Sequence, residues 1–555
     1  MDKSLARFFS CRGVSFEIKS HASQFNVVTP ADPIEGSKSG RLGLPSSRVS
    51  SSQVSPSLME SQVRIDSCHL CDIDVDIDED DMLDIPLEAL EEGNVDKENP
   101  KKQSALVYSA NRHEQPSKSA VARKQKSRLS IILFDRGLFT VYKRLFITSL
   151  TLNIVGLILA AIGYFPYAMN NAALFSIANI FSLTLCRSEA FLRVVFWLAV
   201  KILGHSWVPI CIKYVTTSLL QSLGGIHSGC GVSSIAWLIY SLVLTLKYQD
   251  NTSPVLIAVA STILGLISVS SLAAFPLVRH LHHNVFERTH RFAGWSALVL
   301  LWAFLILTIS YDPMTKSFSN HLGLKLVKRQ EFWFTLAITV LIISPWLTIR
   351  RVAVRITSAS GHAALIKFQG GVKAGILGRI SPSPLSEWHA FGIISDGKSE
   401  HMMLAGAVGD FTKSLVINPP SHLWVRQVHL PGLPYLVNMY DRVLLVATGS
   451  GICVFLSFLL QPCRASVCLL WVAKGVEQNF GSEIKEMVSG HPRDKVIVHD
   501  TAVHGRPNLS NMSIETAKKW RAEVVIVTSN PEGSRDVVNA CKSAGITAFG
   551  PIWDS

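Results

Sequence analysis

The chain alternates between long apolar runs and mixed segments, and the period of the mixed segments changes along its length. Apolar runs lie near 145–166, 171–186, 231–247, 254–278, 292–310 and 332–348. Most approach the roughly 20 residues that cross a hydrocarbon core, so about six spans are expected within a helical domain at 140–350. The 191–220 stretch is also apolar but is broken by Lys201, His205, Pro209 and Lys213. It reads either as a seventh span or as interfacial helices. From 361 to 428 the pattern changes to short β-rich segments with turns at Gly370-Gly371, Gly378 and Pro382-Ser-Pro384, which predicts a small barrel at 360–436. From 440 to 555 buried strands alternate with amphipathic helices. The strands are expected at Val443–Val446, Ser466–Val472, Lys495–His499 and Val524–Thr528, as in an open parallel sheet. Residues 1–130 are rich in Ser, Lys, Pro and acids with no sustained period, and read as disordered.

Composition places the chain in a class. Charged residues make up 17% of the 555, and the mean hydropathy is +0.30. With the apolar content concentrated at 140–350, an integral multi-pass membrane protein in contact with lipid is expected. The net charge is +12, and much of it flanks apolar runs, so it points to orientation rather than to nucleic acid. Lys143 and Arg144, then Arg279, Arg288 and Arg291, then Arg350, Arg351 and Arg355 all fall on one side in a six-span count. The positive-inside rule assigns that side, with the N-terminal region and the C-terminal half, to the cytoplasm. Ten scattered Cys do not read as a disulfide scaffold. The lone Cys68-His-Leu-Cys71 lacks the second pair of a zinc site, and the acidic run at 72–81 reads as a solvated tail.

Candidate chemistry gathers at three places. In WHAFGIIS, Trp388–Ser395, side chains His389, Phe391 and Ile393 alternate with Ala390, Gly392 and Ile394. A flavin needs an apolar wall and small residues where backbone approaches it, and this strand offers both. GDFTKSL at 409–415 is a turn opening a helix, with Thr412 as a candidate N-cap and backbone N–H groups for a pyrophosphate. Further on, a strand meets Thr448-Gly449-Ser450-Gly451 and then an apolar helix, a phosphate-binding arrangement without the third glycine of the dinucleotide fingerprint. Thr528 ends a later strand where ligands of such sheets bind. In the helical half, His227 and His290 begin two runs separated by one span, so both imidazoles are expected at one depth. They are either interfacial histidines or the two axial ligands of one haem iron.

Taken in order, these segments resemble the ferric reductase and NADPH oxidase superfamily. His389-Ala-Phe391-Gly392-Ile393 is similar to its flavin motif, and Gly409-Asp410-Phe411-Thr412 to its second flavin segment. Residues 446–459, beginning VATGSGIC, are similar to its nicotinamide-phosphate motif, and His504-Gly505-Arg506-Pro507-Asn508 to its nucleotide-contacting segment. ANIFSLTLCRSEAFLR at 178–193 is similar to its second span and the loop that follows. The resemblance implies a multi-pass α-helical membrane domain followed by a ferredoxin-reductase-type module, a β-barrel flavin domain plus an α/β nucleotide domain. It implies FAD, NAD(P)H and at most one haem b as cofactors, with Arg506, Pro507 and the near-terminal Trp553 in the nucleotide and flavin sites.

The departures narrow it. The family carries a second histidine about thirteen residues beyond each first one, roughly 20 Å deeper at helical rise. Here those places hold Tyr240 or Ser241, and Ala303 or Phe304. The full two-haem relay is therefore not expected, and the nearest resemblance is to the degenerate TmpA-like branch of membrane flavoproteins. Two functions follow: an NAD(P)H-dependent flavin oxidoreductase whose acceptor the sequence leaves open, or a non-catalytic membrane scaffold or redox-linked regulator that retains the fold.

Overall fold

The computed structural model describes residues 8–11, 14–17 and 140–552, apart from 276–277, 280–282 and 319–322. In the N-terminal unit, Phe8–Cys11 pairs antiparallel with Val14–Glu17. The Cys68–Cys71 pair, the acidic run and Trp553 lie outside the described residues.

The helical half contains α1 (Val141–Ala161), α2 (Ala172–Leu185), α3 (Glu189–Leu203), α4 (Ile210–Gln221), α5 (Gly224–Lys247), α6 (Pro254–Ala273), α7 (His283–Ser310) and α8 (Gln330–Leu347). Among the described residues, five of these, α1 and α5 to α8, are long and apolar enough to cross a membrane. The expected sixth is shorter: α2 has 14 residues, about 21 Å against a core of about 30 Å. A separate helix, Pro166–Asn170, takes the residues before it, and Asn171 breaks the helical geometry between them.

Side-chain contacts give each helix its direction. Tyr142 meets Ser228 and Asn153 meets Trp237, so α1 and α5 run parallel. Ser176 bonds the Ser234 carbonyl while His227 bonds that of Leu183, so α2 returns the chain antiparallel to α5. Ser270 against His290, and Trp295 against Trp346, align α6, α7 and α8 in turn. The start of α1, both histidines and the end of α8 thus share one end of the bundle. Deeper in, Trp237 stacks on Phe175 at 4.7 Å and packs against Tyr240 at 6.2 Å, so aromatic rings fill the level of the absent second histidine on α5.

The 191–220 stretch is neither a span nor free. Helices α3 and α4 lay one face on the C-terminal half. Phe196 joins the cluster around Leu436, Tyr440 and Phe455. Tyr214 Oη donates to the Glu523 carbonyl at 2.7 Å, and Thr217 Oγ1 meets Tyr440 Oη at 2.7 Å. The opposite face leaves Trp197, Ile202 and Val215 exposed, as is Trp207 in the connection between the two helices. Amphipathic helices of 15 and 12 residues bury one stripe and turn the other outward.

The barrel begins about ten residues earlier than the expected 360, immediately after α8. Its strands are β1 (Ile349–Ala353), β2 (Arg355–Ser360), β3 (Ala363–Gln369), β4 (Ile376–Ser381), β5 (His389–Gly392), β6 (Ile394–Ser395), β7 (Glu400–Gly406), β8 (His422–Arg426) and β9 (Leu430–Pro431), with α9 (Asp410–Ile417) between β7 and β8. The arginines of β1 and β2, which mark charge asymmetry in the sequence, are also exposed residues of paired strands. Sheet order is β6-β7-β3-β2 and β9-β4-β8-β1, with β5 on β4.

The last domain is a five-stranded parallel sheet. Its strands are β10 (Arg442–Thr448), β11 (Ser466–Ala473), β12 (Val496–Asp500), β13 (Val524–Thr528) and β14 (Thr547–Phe549), in the order β12-β11-β10-β13-β14. The fifth strand, three residues long, carries too little pattern to be read beforehand. Helices α10 (Cys453–Leu460), α11 (Val476–Ser489), α12 (Leu509–Trp520) and α13 (Pro531–Ser543) cover the two faces, which is why Leu444, Val446, Leu470 and Ile526 are fully buried.

Candidate functional site

Strand pleat decides which residues face a ligand. Arg379 of β4 pairs with Ala390 of β5, and Ile380 with His389. On the other side of β4, Ile380 pairs with Val425 of β8. Ile380, Phe391, Ile393 and Val425 therefore point into the barrel core, whereas Leu377, Arg379, Trp388, Ala390 and Arg426 share the outer face. This corrects the expected flavin wall. The alternation in WHAFGIIS is present, but Phe391 and Ile393 are core residues at 5% and 1% exposure, and Trp388 and Ala390 face outward in their place. His389 is also buried, and its ring stacks on Phe411 at 4.4 Å and 12°.

The outer face of the barrel forms one wall of a cavity of about 2030 Å³. A second wall comes from the parallel-sheet domain, with Ser534, Arg535 and Val538 of α13 and Phe549-Gly550-Pro551 at the end of the last strand and just after it. The third wall is the histidine end of the bundle, from Arg187 and Glu189 to His227, Ser270 and His290. Beyond these the cavity continues inward past Ile177, Leu301 and Ile338.

Gly409, Asp410, Phe411 and Thr412 do not line this cavity. Gly409 is the N-cap of α9, and Thr412 stands at the third helical position rather than at the cap. Thr412 Oγ1 accepts the Gly409 N–H at 3.0 Å and donates to the Gly409 carbonyl at 3.1 Å. One backbone donor of the turn is therefore already used.

The nucleotide-side residues do converge. Gly449 has φ +50°, a left-handed conformation that glycine adopts without strain, and its carbonyl accepts from Trp471 Nε1 at 2.9 Å. A Cβ on Gly451 would lie 2.9 Å from the Thr528 carbonyl oxygen. Thr448 Oγ1 meets Ser529 Oγ at 2.8 Å, and Ser450 is buried beside them. Thr448–Gly451 and Thr528 thus sit together at the carboxyl edge between β10 and β13, where strand order reverses and such sheets bind ligands. Ser534, which accepts the Ser529 N–H, connects this edge to the cavity wall. Arg506 and Pro507 follow β12 on the same edge, two strands away, after Gly505 with φ +71°. Asp500, which the sequence did not single out, organises this corner. Its carboxylate accepts from Gly475, Val476 and Ala502 N–H groups at 2.8–2.9 Å. Burial raises its pKa, and these donors outweigh burial and bring it below the ordinary value.

The histidines face one another with ring centroids 6.4 Å apart and planes tilted by 53°. His227 Nδ1 lies 2.9 Å from the Leu183 carbonyl oxygen. His290 Nδ1 lies 2.9 Å from Ser270 Oγ and 3.1 Å from the Ser270 carbonyl. A carbonyl only accepts, so in each ring the Nδ1 side carries the proton and Nε2 presents a lone pair. Among the described residues no three His, Cys, Asp or Glu side chains gather as a metal cluster.

Sequence reasoning missed Arg187, Glu189, Gln221, Arg379 and Arg426. Glu189 is 5% exposed, and its Oε1 lies 2.9 Å from both Arg379 Nε and Arg426 Nη1. Arg426 also lies over the Trp388 ring at 4.8 Å. The usable signal was the pairing of β4 with β5, which puts Arg379 beside Ala390.

Comparison with known proteins adds the following. Residues 433–555 match the family model described as Adenylate-forming reductase 03009, C-terminal domain. Two relatives from Coprinopsis cinerea, adenylate-forming reductases 06235 and 03009, are each 35% identical over 432 and 424 residues, covering 75% of this chain. The chain spans about 40% of the length of each of these relatives. Among solved structures, a Plasmodium falciparum ferredoxin-NADP+ reductase with 2'P-AMP aligns at 9% identity and TM-score 0.28, covering 37% of this chain and 95% of that one. A flavohemoglobin from Malassezia yamatoensis with bound FAD and heme aligns at 12% identity and TM-score 0.32, covering 67% and 98%.

Proposed function

We propose that this chain is a membrane-bound flavin oxidoreductase that draws electrons from NAD(P)H through FAD toward an acceptor at the histidine end of the bundle. The observation that carries this reading is the cavity bounded at once by the barrel wall, the carboxyl side of the parallel sheet and the paired histidines. A flavin that exchanges electrons between a nucleotide and an acceptor must touch all three regions. The relatives, both named reductases, and the order of bundle, barrel and sheet support it.

The residues fit the cofactors. Trp388 and Ala390 would hold the flavin ring against the barrel. Thr448, Gly449, Ser450, Gly451, Thr528 and Arg506 would hold the nicotinamide nucleotide at the edge of the sheet. His227 and His290 would hold one haem b, because their rings lie near one another and each Nδ1 is tied to a backbone carbonyl, which leaves Nε2 as the ligating atom. Bound FAD would supply the conversion of a hydride into single electrons. This chain supplies alignment of the rings and anchoring of both imidazoles by backbone carbonyls. The exposed apolar faces of α1 and α5 to α8 support a bilayer location, and the basic clusters at the shared end support a cytoplasmic N-terminal region and module.

A non-catalytic scaffold is favoured by a different observation: Phe391 and Ile393 fill the barrel core and His389 stacks on Phe411, so much of the flavin motif is used in packing. An absorbance spectrum of the purified chain after incubation with FAD and haem, followed by anaerobic addition of NADPH or NADH, separates the two. Flavin bands that bleach on addition of nucleotide support the enzyme. A chain that retains no flavin supports the scaffold.

A further inference from the structure

We infer that Arg187, Glu189, Gln221, Arg379 and Arg426 form a subsite for the sugar-phosphate segment of the flavin, on the cavity wall where α3 and α4 meet the barrel. The inference rests on the flavin reading above and assigns a place to a part of the cofactor that GDFT does not offer on this cavity.

Unmet hydrogen bonding carries the argument. Among the described residues, five buried side-chain atoms lack a partner, and four are Glu189 Oε2, Gln221 Oε1, Arg379 Nε and Arg426 Nε. All four residues line the cavity. Arg379 Nε stands 2.9 Å from Glu189 Oε1 but out of line for a hydrogen bond. Native structures leave few such atoms, since each forfeits the hydrogen bond it made in water. Four around one cavity point to a ligand.

The kinds of orphan atom identify its chemistry. Two are guanidinium donors, which an oxyanion satisfies, and two are acceptors, which hydroxyls satisfy. In this structure the four atoms have almost no accessible surface while their residues line the cavity, so binding must turn them toward the ligand. A carboxylate or phosphate alone leaves Glu189 Oε2 and Gln221 Oε1 unmet. A polyhydroxyl chain ending in phosphate meets all four.

Charge agrees. Arg379 and Arg426 occupy facing positions on neighbouring strands by the register of β4 with β8, a like-charge pair that repels. Glu189 lies between them, and Arg187 adds a third guanidinium to the same cavity. Cations outnumber carboxylates on the cavity lining, with Arg279 and Arg291 adding to these three against Glu189 and Glu287, so an anion is favoured there. Consistently, burial first, and then the Arg379 and Arg279 charges, hold the Arg187 pKa below its ordinary value.

The test uses the full chain in detergent and compares FAD, FMN, riboflavin and lumiflavin by fluorescence titration. Wild type should bind FAD and FMN more tightly than riboflavin, and riboflavin more tightly than lumiflavin. Arg379→Gln and Arg426→Gln should each remove roughly tenfold or more of the phosphate preference while keeping riboflavin affinity. Gln221→Leu should instead narrow the gap between riboflavin and lumiflavin. Equal losses for all four ligands, or unchanged phosphate preference, overturn the subsite. If wild type binds no flavin, thermal shift with ribose 5-phosphate decides. Stabilisation that the arginine variants lack keeps the subsite while the flavin reading falls, and no stabilisation ends both. Gln221→Leu keeps every charge, so the test survives if an arginine variant does not fold.

Discussion

Gly392 of the barrel lies against Val454 at the start of the helix that follows the nucleotide turn, so closely that a Cβ on residue 392 would stand 2.6 Å from Val454 Cγ1 and 2.7 Å from its backbone nitrogen. The glycine of the flavin motif thus sets the distance between the two halves of the module. Gly392→Ala must push the domains apart, and a loss of about 1–3 kcal/mol is expected from overpacking. Thermal denaturation of the detergent-solubilised variant reads it. An unchanged midpoint would show that the contact yields freely.

Either His227→Ala or His290→Ala should abolish haem binding, because each removes one of two facing Nε2 lone pairs. The wild-type ratio should not exceed one haem per chain, since Trp237, Phe175 and Tyr240 fill the deeper level on α5. Pyridine haemochrome titration measures both. A ratio near two contradicts the single site.

Phe391→Asp and Ala390→Asp differ by one position and should fail differently. Aspartate at 391 buries a charge in the barrel core and should cost about 3–5 kcal/mol, seen as loss of folded protein. Aspartate at 390 faces the cavity and should leave the fold intact while preventing flavin retention. Circular dichroism with a flavin spectrum separates the outcomes, and matching behaviour would contradict the pleat assignment.

Arg506→Lys should raise the apparent KM for the nicotinamide nucleotide about tenfold without releasing flavin, because lysine cannot clasp a phosphate bidentately and stack on adenine. Steady-state kinetics with a dye acceptor gives the value. An unchanged KM would place Arg506 outside the nucleotide site.

The barrel should lose stability in mild acid. Burial first, then the neighbouring His401 and Arg193 charges, lower the His429 pKa from 6.5 to about 4, and burial lowers that of His401. Between these values the unfolded chain binds a proton that the folded chain refuses. The contribution is therefore present above about pH 6.5 and lost as pH falls toward about 4. Replacing both with Gln should flatten this limb in urea titrations at stepped pH.

By itself the sequence determined the order of the parts. Apolar runs, short alternating strands and strand-turn-helix units are local patterns, so bundle, barrel and parallel sheet were legible, as was the convergence of Thr448–Gly451 with Thr528. The depth of His227 and His290 followed from helix parity, which α2 preserves although it is shorter than a span. Only the tertiary structure decided which face of WHAFGIIS meets the cavity. Alternation is symmetric between two faces, and pairing with Ile380 and Arg379 breaks that symmetry. The docking of α3 and α4 likewise depends on Tyr440 and Glu523, more than two hundred residues away. Nothing in the sequence marks Glu189, because its partners Arg379 and Arg426 arrive from a different domain.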